Sequence, residues 1–202
     1  MSPLFDFITT LFSLLTLIAD IGILLLVVWL GIWYVGWRMR AQSHGVGTAA
    51  NARAAEPFRP LVSWVGANAV GLGLIVSTLA VLGSLFFSNV VGFVPCELCW
   101  WQRIFIYPQV IIFFMALMYE RRGKPLGPVF SISGVLSVAT FLISAFQYYG
   151  ATFNAGALAA CNITGVSCAK TYFVDFGYVT IPIMSLTTAA LLLAIVMARR
   201  FK

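Results

Sequence analysis

Four cysteines stand in two close pairs: Cys96-Glu97-Leu98-Cys99, and Cys161 with Cys168 across six residues. Thiols spaced in this way can exchange disulfides, bind zinc or form inert staples. The first pair lies just before an apolar run. If that run opens as a helix, its N-terminal amides and dipole stabilise a thiolate, and Arg103, four residues after Cys99, adds a cation on the same face. A depressed thiol pKa would favour exchange and electron donation. Zinc would need both pairs as ligands, and a hydrophobic loop without histidine supports it poorly, so a redox pair is the favoured reading and no metal site is expected. The second pair encloses Gly165 and can close a small ring, a water-exposed dithiol able to reach a partner protein and exchange with the first pair.

The elements that must hold these cysteines are written in the composition. Of 202 residues, 61% are hydrophobic and 9% charged, against roughly 45–50% and about 25% in soluble domains. Such a chain cannot build a charged outer layer, so lipid must face much of its surface. Disorder is excluded by the hydrophobicity. The net charge of +6 is spread without a basic patch, so nucleic acid is not an expected partner. Intervals free of Lys, Arg, Asp and Glu suggest five helical spans, about 21–37, 61–87, 99–119, 128–149 and 179–197.

Ten of the twelve Lys and Arg residues fall between the first two of these spans, between the third and fourth, or in the tail. By the positive-inside rule the N-terminus lies outside, the C-terminus lies in the cytoplasm, and all four cysteines lie in the two outer loops. That is the oxidising side, where disulfides persist. The fold class is all-α: a four-helix transmembrane bundle over residues 61–202, an accessory transmembrane helix over 1–38, and a cytoplasmic linker over 39–60. His44 in that linker reads as a solvated residue, and the Asn162-Ile163-Thr164 sequon is a weak pattern. The first segment lacks the charge and cleavage pattern of a signal peptide, so residues 4–19 read as an interfacial or tilted extension of a retained first helix. Asp20 is expected at the outer interface rather than as a buried functional acid.

The stretch Pro95-Cys96-Glu97-Leu98-Cys99-Trp100-Trp101-Gln102-Arg103-Ile104, then Tyr107-Pro108, the paired loop cysteines, and Gly177-Tyr178-Val179-Thr180-Ile181-Pro182 resemble the DsbB family of disulfide bond formation proteins, especially its BdbC-like branch. The resemblance covers about residues 61–200. It implies a bacterial inner-membrane protein that passes electrons from a soluble DsbA-like or BdbD-like thioredoxin-fold oxidase to a membrane quinone, ubiquinone or menaquinone. It further implies that Cys161 forms the mixed disulfide with the partner, that Cys168 is its intramolecular mate, and that Cys96 and Cys99 are the quinone-coupled pair with Cys99 donating. Arg103 matches the arginine that assists quinone binding. The order of the pairs is the reverse of that in the vitamin K epoxide reductase family. Many relatives carry a histidine where this chain has Gln147, and the first span is an addition to the four-helix pattern. The competing reading is a non-enzymatic membrane subunit whose outer loops are stapled by two structural disulfides.

Overall fold

The computed structural model describes residues 3–43, 59–158, 161 and 165–200. The elements are α1 (Pro3–Ser43), α2 (Arg59–Ala67), α3 (Ala69–Leu85) with a π-helical turn at Phe86–Val90, α4 (Glu97–Arg121), α5 (Gly127–Phe153) with a 3-10 turn at Ala155–Leu158, and α6 (Ile181–Arg200). Five described segments are long and apolar enough to cross a membrane: Phe5–Leu25, Ala69–Val90, Glu97–Arg121, Gly127–Phe153 and Ile181–Arg200. The chain is therefore an all-helical, multi-pass membrane protein, its backbone amides paired within helices as hydrocarbon requires.

Helices α3, α4, α5 and α6 pack in a closed ring, each against the next and α6 against α3. At the end away from the cysteines the ring is filled by Val70, Phe113, Phe130, Leu192 and Val196, all nearly inaccessible. Gly73 lets α3 approach α4 closely, because a Cβ there would run into the ring of Phe113. Toward the middle the inward faces turn polar. On α5, Ser133, Ser137, Thr140, Ser144 and Gln147 recur at helical spacing and are buried, while Ile132, Val135, Leu142 and Phe146 point outward. This inverted pattern is expected where the outer solvent is lipid and small or polar side chains join helices. Ser133 Oγ donates to Gln109 Oε1 at 2.7 Å and Ser144 bonds Ser185 at 3.0 Å, tying α5 to α4 and to α6.

The structure adds three details. The second span breaks at Asn68, separating the short α2 from α3, and Asn68 Nδ2 bonds the carbonyl of Trp64 at 2.8 Å. Residues 4–19 are continuous with the first helix: α1 is one unbroken helix, and among the described residues a membrane-length apolar stretch already begins at Phe5. The interval rule starts its first span after Asp20 because it treats every acid as an end. In the fold, Tyr178 and Thr187 donate to the Asp20 carboxylate at 3.0 and 2.5 Å, the latter from within α6, so this acid is paired against the bundle and not simply solvated at an interface. Most of the expected linker, with His44, and the Asn162-Thr164 sequon lie outside the described residues.

Candidate redox site

Helix α4 starts at the first cysteine pair. Cys96, preceded by Pro95, takes an extended backbone conformation as N-cap, and its sulfur accepts the Cys99 amide at 3.4 Å. The pair therefore caps its own helix, one cysteine outside the first turn and the other within it. The two sulfurs lie 2.7 Å apart as free cysteines. Cys161 and Cys168 are joined by a disulfide, with Cα atoms 5.8 Å apart. Cys96, Cys168 and Leu158 form one buried cluster against which Cys99, Cys161 and Leu98 pack. Gly150 makes room for this cluster, since a Cβ there would meet Leu158 at 2.6 Å. All four cysteines are thus brought to one place by α4, the end of α5 and the loop before α6.

Gln147 joins the two pairs. Its Nε2 faces Cys96 Sγ at 3.2 Å, Cys99 Sγ at 3.6 Å and the Cys168 carbonyl at 3.4 Å, and its Oε1 accepts from Gln102 Nε2 at 2.7 Å. Both amides are almost fully buried. The Gln102 bond fixes which end of Gln147 points at sulfur, so a donor faces both thiols of the first pair and the backbone of the second.

Arg103, one turn below Cys99, is held by the end of α3: Nε donates to Ser84 Oγ at 3.0 Å and Nη2 to the Ser84 carbonyl at 3.3 Å. Tyr107 donates to the same hydroxyl at 3.2 Å, and the guanidinium lies 5.2 Å from the centre of the Trp100 ring. The π-helical turn follows Ser84, in a place where such turns often accompany functional sites. A cavity of about 310 Å³ adjoins these groups, with Cys96, Cys99, Arg103, Tyr107 and Thr180 in its wall. Thr180 Oγ1 is the one buried side-chain polar atom without a partner among the described residues. Tyr172 also lines the cavity, its hydroxyl bonded to the Val94 carbonyl at 2.7 Å and its ring stacked on Phe93 with centres 4.3 Å apart.

The two thiols of the pair are not equivalent: hydrogen bonding to Cys99 first, and burial second, push the Cys96 thiol well above the ordinary range. As N-cap it is a proton-holding partner of its neighbour. Burial likewise raises the phenol of Tyr172, which stays a neutral donor to Val94.

The model of the family described as "Disulfide bond formation protein DsbB" matches residues 66–199, about two-thirds of the chain. The chain belongs to the DsbB family. Similar proteins include two from Bacillus subtilis (strain 168): the SPbeta prophage-derived disulfide bond formation protein B, 36% identical over 59% of this chain and 77% of its own length, and disulfide bond formation protein C, 34% identical over 59% and 83%. The probable disulfide formation protein C 1 of Bacillus anthracis is 39% identical over 54% and 76%. No solved structure matches. Family membership makes this DsbB-family chain a membrane thiol oxidoreductase of disulfide-bond formation. Sequence reasoning did not find Gln102 and Ser84 as partners of the site, and it noted Gln147 only as a departure from the family. The available signal was Gln147 closing the buried polar stripe of α5.

Proposed function

We propose that the chain is a protein dithiol:quinone oxidoreductase in the bacterial inner membrane, with both cysteine loops on the outer face. Its reductant would be a soluble thioredoxin-fold protein. The observation that carries this reading is the gathering of two cysteine pairs around one amide, with a cavity and an anchored guanidinium beside the first pair. A purely structural pair of staples needs neither the cavity nor the buried Gln147–Gln102 relay.

A thiolate of the partner attacks Cys161, and Cys168 leaves as a thiolate. The second partner thiol then displaces Cys161, releasing the partner as a disulfide and this chain with a reduced second pair. Cys168 attacks the oxidised first pair, and Cys161 closes back onto Cys168, so two electrons and two protons now reside on Cys96 and Cys99. Gln147 holds both sulfurs of the first pair and the Cys168 backbone, keeping the two pairs within reach of one another.

The residues around the cavity suit a quinone: thiols and a fixed cation at one end, an apolar remainder, and the Thr180 hydroxyl left without a protein partner. When bound, a quinone supplies a two-electron, two-proton acceptor. Cys99 is the donor of the pair, and Cys96 gives up its proton as the Cys96–Cys99 bond re-forms. Arg103, always charged and pinned by Ser84, favours negative charge developing beside Cys99.

The test is turnover by the purified chain in detergent with a quinone and a reduced thioredoxin-fold protein. Many equivalents of quinone should be consumed per chain, and Cys161→Ser should stop transfer from the protein donor. A trace that ends after one equivalent or fewer, with quinone bound, would favour the stapled-subunit reading.

A further inference from the structure

Helix α1 lies outside the stretch that matches the family, which begins at residue 66, yet it is built into the cavity. Phe12, Leu15, Thr16 and Ala19, spaced i, i+3, i+4 and i+7 on one face, supply one wall. Opposite them stand Ala80 of α3 and Leu191 of α6, so an apolar arm of the cavity runs from the Cys99–Arg103 end between α3 and α6, beneath α1.

The docking of α1 is specific. Its buried stripe is Thr9, Ser13 and Thr16, while Phe7, Leu14 and Ile18 face outward. Phe12 lies over Gly83, where a Cβ would come within 2.9 Å of its ring, and it approaches Phe87 with ring centres 6.2 Å apart. Two polar bonds latch the helix at different heights. Ser13 donates to Asp175 at 2.5 Å, and Asp20 accepts from Tyr178 and Thr187. Asp175 and Tyr178 are presented by one tight turn, in which Phe176 and Gly177 take positive φ angles of 50° and 81° and Asp175 pairs with Val179. A carboxylate in an apolar segment is costly unless paired, so Asp20 ties α1 in one register against α6.

The apolar lining reaches the surface of the bundle: Leu15 of α1 and Leu79 of α3 both line the cavity and are 45% and 43% exposed.

We propose that α1 is a working wall of the acceptor site: it encloses the isoprenoid tail of a lipid quinone along the Phe12–Ala19 face and sets which tails are accepted, with entry from the bilayer past Leu15. This rests on the reading of the cavity as a quinone site. The apolar arm suits a prenyl chain, continues directly from the thiols and the guanidinium that would receive the ring, and reaches the surface that faces the phase in which such molecules dissolve.

The test uses the full chain in detergent and a benzoquinone whose short isoprenoid tail ends in a photoreactive diazirine. After irradiation, adducts should map to α1 between Phe12 and Ala19 and to α3 or α6, and they should disappear with excess unlabelled prenylated quinone. Adducts confined to α3 and α6, or scattered over outward residues such as Phe7 and Ile18 without competition, would overturn the proposal. A second measurement fills the arm with Ala19→Trp and follows binding of long-tailed and tail-less quinones by quenching of tryptophan fluorescence. The affinity ratio, long-tailed over tail-less, should fall about tenfold or more. An unchanged ratio would overturn the role of α1. Failure of the unaltered chain to bind either quinone would instead overturn the proposed function, and this inference with it.

Discussion

The two ends of the bundle are packed with different chemistry. Away from the cysteines, Phe113, Phe130, Leu192 and Val196 interlock with almost no accessible surface, and Arg199 closes that end with a bond to the Gly66 carbonyl at 3.0 Å. At the cysteine end the same four helices enclose sulfur, two buried amides, a guanidinium and a cavity. Close packing gives one end its stability, because interior volume there is filled nearly as densely as an organic crystal. The other end gives up packing for room and polarity. The contrast teaches that helix association and thiol chemistry can be damaged separately.

The largest separate effect is expected from Phe113→Ala. It should lower stability by about 3–5 kcal/mol through the cavity it leaves, seen as a lower melting temperature in detergent, while the turnover of molecules still folded is unchanged. Lost turnover at unchanged stability would show that the two ends are not independent. Arg103→Leu should do the reverse, raising the quinone concentration for half-maximal rate by about tenfold or more, since bonds to charged groups are worth roughly 1.5–3 kcal/mol. An unaltered dependence would reduce Arg103 to a clamp on Ser84.

Gln147→Leu falls between the two. It orphans the buried Gln102 amide at a cost of about 1–3 kcal/mol, and rapid thiol trapping should show slower transfer from the Cys161–Cys168 pair to the first pair. Normal transfer with lower stability would make Gln147 structural only. The smallest effect concerns Cys96. Its raised pKa leaves the thiol protonated where an ordinary one ionises, at about pH 8.5, so alkylation of Cys96 in the reduced protein, mapped by mass spectrometry, should still be rising at higher pH. A midpoint near pH 9 would show that the bond to Cys99 does not hold its proton.

Much of this contrast was legible in the sequence, and the failures have physical causes. Helix positions followed from charge-free apolar intervals, because only helices satisfy the backbone in lipid. The nearness of the cysteine pairs followed from their spacing and their loops. The first span was started after Asp20 because an acid was read as a boundary, and only tertiary structure reveals that Tyr178 and Thr187 neutralise its cost. Gln102 and Gln147 are 45 residues apart, so no local pattern announces their bond. The helix-start argument did not separate Cys96 from Cys99, whereas in the fold the Cys96 sulfur faces Cys99 and is buried. Asn68 breaks a run that hydropathy alone reads as continuous.

The most direct test of the account follows quinone absorbance as the fully pre-reduced chain is oxidised with no further donor, comparing the native sequence with Cys99→Ser. The native chain then holds two dithiols and should reduce about two quinones, each as its Cys96–Cys99 pair closes, and the variant should leave the absorbance unchanged while still binding quinone. Equal quinone loss in both proteins would contradict the assignment of Cys99 as the donor and, with it, the route from the loop disulfide to the membrane acceptor.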